Sequence, residues 1–155
     1  RGLTHCEMLA ENAPTETSVS SASSADPLLQ QAANELQAYL MGSLKAFSLP
    51  LDLSDLTPFQ QKVLTAVSLI PWGQTRTYSE VAAQIGKPKA IRAVGNALAH
   101  NPLMLFVPCH RVIGSDGNLH GFSAPQGVAI KAWLLDHEGI KIIDKNLYAT
   151  SNKEI

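Results

Sequence analysis

Between Thr57 and Pro102 the chain carries so many helix starts and stops that only short helices fit. Thr57 precedes Pro58, and Gln60 lies three residues after Thr57: a cap, a proline at the first helical position and a capping box. Phe59, Val63, Val67 and Ile70 then recur at helical spacing until Pro71 and Gly73 stop the helix. Thr77 and Glu80 repeat the capping box, and Gly86 closes a second helix from Tyr78 to Ile85. After "GKPK" a third helix runs to about Ala99, where Asn101-Pro102 ends it. Two short helices joined by a tight glycine-containing turn resemble a helix-turn-helix.

Outside this stretch the signals are sparser. Residues 10–26, "AENAPTETSVSSASSAD", have no periodicity and read as a flexible loop. "LTHCEML" before them is a possible short strand. Asp26-Pro27 opens a helix whose apolar stripe is Leu29, Ala32, Ala33, Leu36 and Leu40, with Gly42 as its stop. "LMLFV" reads as a buried strand or extended segment, "GSDGN" as a turn, and a last helix spans about Gln126 to His137. There are no internal repeats. From the residues alone this is a mostly α-helical protein.

Hydrophobic residues make up 45% of the chain and charged ones 16%, which suits a globular protein. No apolar run reaches the roughly 18 residues of a membrane span, and no secretory leader pattern opens the chain. Arg1 in place of Met reads as a fragment or a processed product. Two cysteines, at 6 and 109, fit a reducing, intracellular compartment. The net charge of −1 is unevenly spread: residues 59–111 hold six bases and one acid. A basic middle in a neutral chain is a local footprint for a polyanion.

In the third helix of that stretch, Ile91, Val94 and Leu98 should face the core. Arg92, Gly95, Asn96 and Ala99 fall on the other side. One long cation on a floor of small residues suits close approach to a DNA backbone or minor groove, with Arg92 as a probe. The competing reading is that Gly95 and Ala99 pack another helix and Arg92 is merely solvated.

"PCHRVIG", residues 108–114, sets Cys109 beside His110. A thiol has a pKa of about 8.5 and needs a base to act as a nucleophile near neutrality. Adjacent side chains point apart, so a water would have to bridge the two. Glu138, in "LLDHEG", is a candidate to hold His110 in the right tautomer. The competing reading is a small buried thiol with no role. No CxxC or HxxxH pair is present, so a metal site is not expected.

Together, "IPWGQTRTYSEVAAQIGKPKAIRAVGNALAHNP" and "VPCHRVIGSDGNLHGFSAPQGVAIKAWLLDHEG" strongly resemble the O6-alkylguanine-DNA alkyltransferases, the methylated-DNA–protein-cysteine methyltransferases. The resemblance runs from about Asp26 to Lys141. It implies DNA repair by one irreversible transfer of an alkyl group from O6 of guanine, or O4 of thymine, to Cys109, with no cofactor and no metal. His110 would be the base acting through water, Glu138 its orienting group, and Asn101 the brace of the turn. Arg92 would fill the gap left by the flipped nucleotide, entering from the minor groove of double-stranded DNA on the face made by Gly95, Asn96 and Ala99. Tyr78 would assist flipping and donate toward the guanine. Pro108, Val112, Phe122 and Ser123 would line the pocket.

The resemblance also implies a winged helix-turn-helix-like domain over residues 54–143, a truncated remnant of an α/β domain over 1–53, and a tail over 144–155. The protein would act as a monomer with no membrane partner, in the cytoplasm of a bacterium or the nucleus of a eukaryote. Phe122 stands where some members have Tyr, and "APQG" is longer than the "GG" of some members. In the alkyltransferase-like branch of the family the cysteine is replaced; here it is present. Two rivals remain: a lesion-binding protein without chemistry that recruits repair factors, and a cysteine hydrolase.

Overall fold

The structure is a computed structural model and describes residues 2–8, 26–143 and 146–147. The Ser-rich loop and most of the C-terminal tail lie outside the described residues.

Three helices begin where a side-chain cap dictates. Helix α1 (Pro27–Leu40) starts with the Asp26 side chain accepting from the Leu28 amide. Helices α2 (Pro58–Ser68) and α3 (Tyr78–Gln84) both open on complete capping boxes, Thr57 with Gln60 and Thr77 with Glu80. Such caps contribute about 1 kcal/mol each by satisfying amides that have no helical partner. Helix α4 (Ile91–Ala99) has no side-chain cap. Helix α5 (Val128–His137) starts later than the periodicity predicts, because Gln126 and Gly127 both have positive φ, 63° and 51°, which no helix accommodates.

The core is formed where α2, α3 and α4 meet. Val63, Leu64, Val67, Val81, Ala82, Val94 and Ala97 are all buried there, with Leu103 and Val107 closing the base. Ile91 does not join them. It is 43% exposed, and Ala97 takes the core position instead. On α1 the buried face is also shifted: Ala32 and Tyr39 are buried while Leu29 and Leu40 are exposed. The turn of helix between Leu36 and Leu40 therefore faces inward through Tyr39, which the expected stripe passes over.

"LMLFV" is not a strand. Leu105 has φ 71°, and Met104 and Val107 pair across a tight turn. The described part of "LTHCEML", residues 3–8, likewise joins no sheet; it makes single backbone pairs, Leu3 with Leu51 and Cys6 with Leu103. A Cβ on Gly2 would stand 2.5 Å from the Pro50 carbonyl oxygen, so the close run of these segments needs glycine there.

The strands are minimal. Strand β1 (Arg76–Thr77) pairs in parallel with β2 (Val112–Ile113), Arg76 opposite Val112 and Thr77 opposite Ile113. Strand β3 (Ile142–Ile143) pairs antiparallel with β4 (Asn146–Leu147). The first pair matters most. It ties the start of α3, where Tyr78 sits, to the segment that leaves Cys109. The whole is mostly helical with small strand pairs. Among the described residues no helix is long and apolar enough to cross a membrane.

Candidate active site

Residues Cys109–Arg111 form a single 3-10 turn. With three residues per turn, successive side chains leave it about 120° apart. Cys109 therefore points one way and His110 and Arg111 others, which is how adjacent residues come to serve different neighbours. The loop before the turn is braced by Asn101. Its Nδ2 donates to the Val107 carbonyl at 3.1 Å, and its Oδ1 accepts from the Leu103 amide at 3.0 Å.

Cys109 is 6% exposed and lies in a cleft of about 430 Å³. Tyr78, Gly95 and Ala99 line it from α3 and α4, Phe122 and Ser123 from the loop before α5, and Lys131 from α5. The volume is within the range of small-molecule sites, about 300–1,000 Å³. Ser123 Oγ donates to the Ala99 carbonyl at 2.8 Å, which ties the loop to the end of α4. Two expected pocket residues lie elsewhere. Pro108 lines a second cleft, with Phe47, Trp72 and Phe106. Val112 is fully buried behind the wall, and its carbonyl accepts from Lys131 Nζ at 2.6 Å.

His110 and Glu138 come together as expected, but with two further partners. His110 Nε2 is 2.7 Å from Glu138 Oε1. An ionised carboxylate only accepts, so Nε2 carries the proton and Nδ1 of the neutral ring carries a lone pair. Among the described residues, Nδ1 is the buried side-chain polar atom left without a partner. Arg111 grips both oxygens of Glu138, Nε to Oε2 and Nη2 to Oε1 at 2.8 Å each, and donates from Nη1 to the Ile70 carbonyl. The Tyr39 hydroxyl donates to Oε1 at 2.7 Å.

The electrostatics follow from this packing. Burial alone would push Glu138 up, but the hydrogen bonds from His110 and Arg111 and the guanidinium charge hold it at about 2. Burial pushes His110 down, so the imidazole stays neutral beside a carboxylate whose counter-ion is Arg111. The Cys109 thiol is pushed up by burial, against the opposing pull of the Asn101 amide and the Lys131 charge. The adjacent His110 and its orienting Glu138 would suggest a thiol with a depressed pKa, and the resting site does not provide one.

Lys131 is the other residue the motifs concealed. It is fully buried, with Nζ donating to the Val112 and Leu119 carbonyls at 2.6 Å and standing 5.8 Å from the centroid of the Tyr78 ring. Desolvation brings it down to about 8. It sets a positive charge in the wall of the cleft that Cys109 faces.

Arg92 is exposed and has no hydrogen-bonding or ion-pair partner among the described residues. Asn96 and Ala99 are exposed beside it and Gly95 is half-buried. A Cβ on Gly95 would stand 3.9 Å from the Tyr78 ring, in ordinary contact. Gly95 thus does not hold another helix close. It leaves the edge of the cleft open.

The sequence pattern of the 6-O-methylguanine DNA methyltransferase DNA-binding domain matches residues 58–140, and that of the family's ribonuclease-like domain matches residues 1–53. The chain belongs to this family. The constitutive methylated-DNA–protein-cysteine methyltransferase of Bacillus subtilis is 49% identical over 119 residues, covering 77% of this chain and 71% of that one. The Methanosarcina barkeri enzyme of the same name is 50% identical over 109 residues, covering 70% and 67%. Among solved structures, Mycobacterium tuberculosis OGT in complex with DNA has a TM-score of 0.67 and 49% identity, covering 70% of this chain and 65% of that one. Schizosaccharomyces pombe Atl1, solved with damaged DNA containing O6-carboxymethylguanine, has a TM-score of 0.51 and 38% identity, covering 55% and 79%.

The shifts at this family site carry a sign for stability. Glu138 has its folded value below the unfolded value of about 4.3, so its contribution is fully present above that pH and is lost as pH falls toward about 2. His110 has its folded value lowered too. Below about 6.5 the unfolded imidazole takes a proton that the folded one refuses, so acid again favours unfolding. The urea midpoint is therefore expected to start falling below about pH 6.5, before carboxylates titrate. His110→Gln should remove that first part of the decline. Identical midpoint curves for the two proteins between pH 7 and 5 would mean that His110 is no less solvated folded than unfolded.

Proposed function

We propose that the protein repairs DNA by moving an alkyl group from O6 of guanine to Cys109, once per molecule. The observation that carries this reading is the placement of Cys109 in an open cleft while the neighbouring His110 keeps an unpartnered, unprotonated Nδ1. A purely lesion-binding protein has no use for that pair, and the intact thiol sets the chain apart from the branch of the family that lacks it.

The target atom is inside a duplex, so the base must leave the stack, at a cost of a few kcal/mol. Helices α3 and α4 act as the helix-turn-helix, and the segment from β2 to Leu119 serves as the wing. The face of α4 that carries Gly95, Asn96 and Ala99 approaches the minor groove, and Arg92 occupies the place of the flipped nucleotide. The flipped guanine enters the cleft between Tyr78 and Phe122.

Sγ then attacks the alkyl carbon in line with the bond to O6. The thiol proton passes through a water to His110 Nδ1, the carbon–oxygen bond breaks, and its electron pair stays on the guanine. The ring needs a proton in exchange; the Tyr78 hydroxyl hands it over and is reprotonated through water by the proton that His110 took from the thiol. The raised thiol pKa fits this order: the proton leaves during the transfer, with Lys131 offsetting charge as it develops. The product is a thioether. It is a poor leaving group, so Cys109 is not regenerated.

Incubation with an oligonucleotide containing O6-methylguanine tests the reading. Mass spectrometry should find one methyl group on the peptide that holds Cys109 and restored guanine in the DNA. Turnover of ester or peptide substrates without a stable adduct would favour a hydrolase instead. Arg92→Ala is expected to slow repair of duplex DNA by far more than it slows reaction with free O6-alkylguanine base. The arginine holds the flipped state and takes no part in bond making. Equal losses on both substrates would assign Arg92 a structural role.

A further inference from the structure

The proton-accepting pair is completed from outside the helix-turn-helix. Tyr39 lies near the end of α1 and is 1% exposed. Its ring is held by Phe47 and Trp72, with centroids 5.3 Å away in each case, and by His137 at 5.5 Å. His137 Nε2 also donates to the Tyr39 carbonyl at 2.8 Å, fixing the backbone from which the ring projects. So constrained, the hydroxyl meets Glu138 Oε1 at 2.7 Å, the same oxygen that accepts from His110 at 2.7 Å and from Arg111 at 2.8 Å. It also stands 3.5 Å from His110 Nε2.

We propose that Tyr39 is a positioning residue for alkyl transfer: its hydroxyl holds Glu138 Oε1, and through it the tautomer and basicity of His110. The proposal rests on the function argued above. Three donors on one carboxylate oxygen leave little electron density for any one of them. With the phenol present, Oε1 binds the His110 N–H without drawing a second proton onto the ring. With the phenol gone, the carboxylate interacts more strongly with His110 and favours the imidazolium. Protonation then removes the Nδ1 lone pair that accepts the thiol proton. The charged and titratable groups around His110 are Glu138, Arg111, Lys131 and Tyr39. The phenol is the neutral donor among them, so its removal changes no net charge.

Tyr39→Phe keeps the ring that Phe47, Trp72 and His137 hold. The readout is the rate of Cys109 modification by iodoacetamide against pH, in a Cys6→Ala background, alongside transfer from an O6-methylguanine oligonucleotide. The acid limb of the thiol profile should move upward by about one pH unit, the scale of one hydrogen bond to a charged group. Transfer at pH 6 should fall about tenfold and recover at higher pH. A residue that only fills the core would leave the limb where it is, and superimposable profiles would overturn the proposal.

If Tyr39→Phe does not fold, 3-fluorotyrosine placed at position 39 gives the opposite test. Its more acidic phenol donates more strongly, so the acid limb should move down; an unmoved limb overturns the proposal equally. The two readings separate cleanly. No transfer from DNA by the unsubstituted protein would remove the repair function, while a shifted thiol profile would keep the role of Tyr39.

Discussion

Cys109→Ser is expected to abolish alkyl transfer and leave duplex binding unchanged. A serine hydroxyl is far less acidic than a thiol and a much weaker nucleophile toward an alkyl carbon. The substitution is close to isosteric. Its site is 6% exposed, and the exposed face of α4 with Arg92 is untouched. Binding should therefore keep both its strength and its salt dependence, measured by fluorescence anisotropy at two stated salt concentrations, because phosphate contacts set that slope. Transfer should drop below detection in the mass-spectrometric assay. A methyl group found on the serine variant, at position 109 or elsewhere, would end the assignment of Cys109 as acceptor. Loss of both binding and transfer would show that the turn at Cys109–Arg111 supports the DNA face as well as the chemistry.

The parts of the site legible in the sequence are those whose signal is local. Thr57 with Gln60 and Thr77 with Glu80 announce helix starts because a capping box is a contact between residues three apart. Cys109 and His110 stand out as neighbours, and Glu138 as a carboxylate at a helix end. Asn101 before Pro102 reads as a helix stop, and its side chain is the brace of the loop that follows. What stayed hidden depends on distant contacts. Tyr39 meets Glu138 across 99 positions, and its neighbours Leu36 and Leu40 offer a plausible apolar stripe without it. Lys131 sits in "VAIKAWLLDH", a helix apolar almost all round, where a lysine reads as the solvated face. Only the two carbonyls of Val112 and Leu119, from a different part of the chain, make its burial tolerable. Arg111 follows the same rule. Beside His110 it looks like one more cation of a basic stretch, yet it is 5% exposed and spends its charge on Glu138 and not on a polyanion. The depressed thiol pKa was expected for a related reason. Adjacency of a histidine says nothing about desolvation, and burial dominates here.

That internal use of Arg111 leads to the largest expected effect on stability. Glu138→Gln removes a carboxylate whose side chain is fully buried against a guanidinium that is 6% exposed by side chain. The arginine keeps its bond to the Ile70 carbonyl but loses its counter-ion. Stranding a buried charge costs about 3–5 kcal/mol, far more than the intact pair contributes over an apolar replacement. Glu138→Gln should therefore lower the urea midpoint strongly, and Arg111→Met should do the same by stranding the carboxylate. The double variant leaves neither charge uncompensated, and the glutamine oxygen still accepts from His110 and Tyr39. Its loss should be smaller than the sum of the two single losses by about 2 kcal/mol or more, the signature of residues in one network. Transfer should not recover with stability. A neutral amide orients His110 but does not stabilise the imidazolium that forms as the thiol gives up its proton, so the folded double variant should remain slow. Additive losses would mean that Arg111 and Glu138 are not coupled. Full transfer by the stable double variant would mean that the charge on Glu138 serves the fold alone.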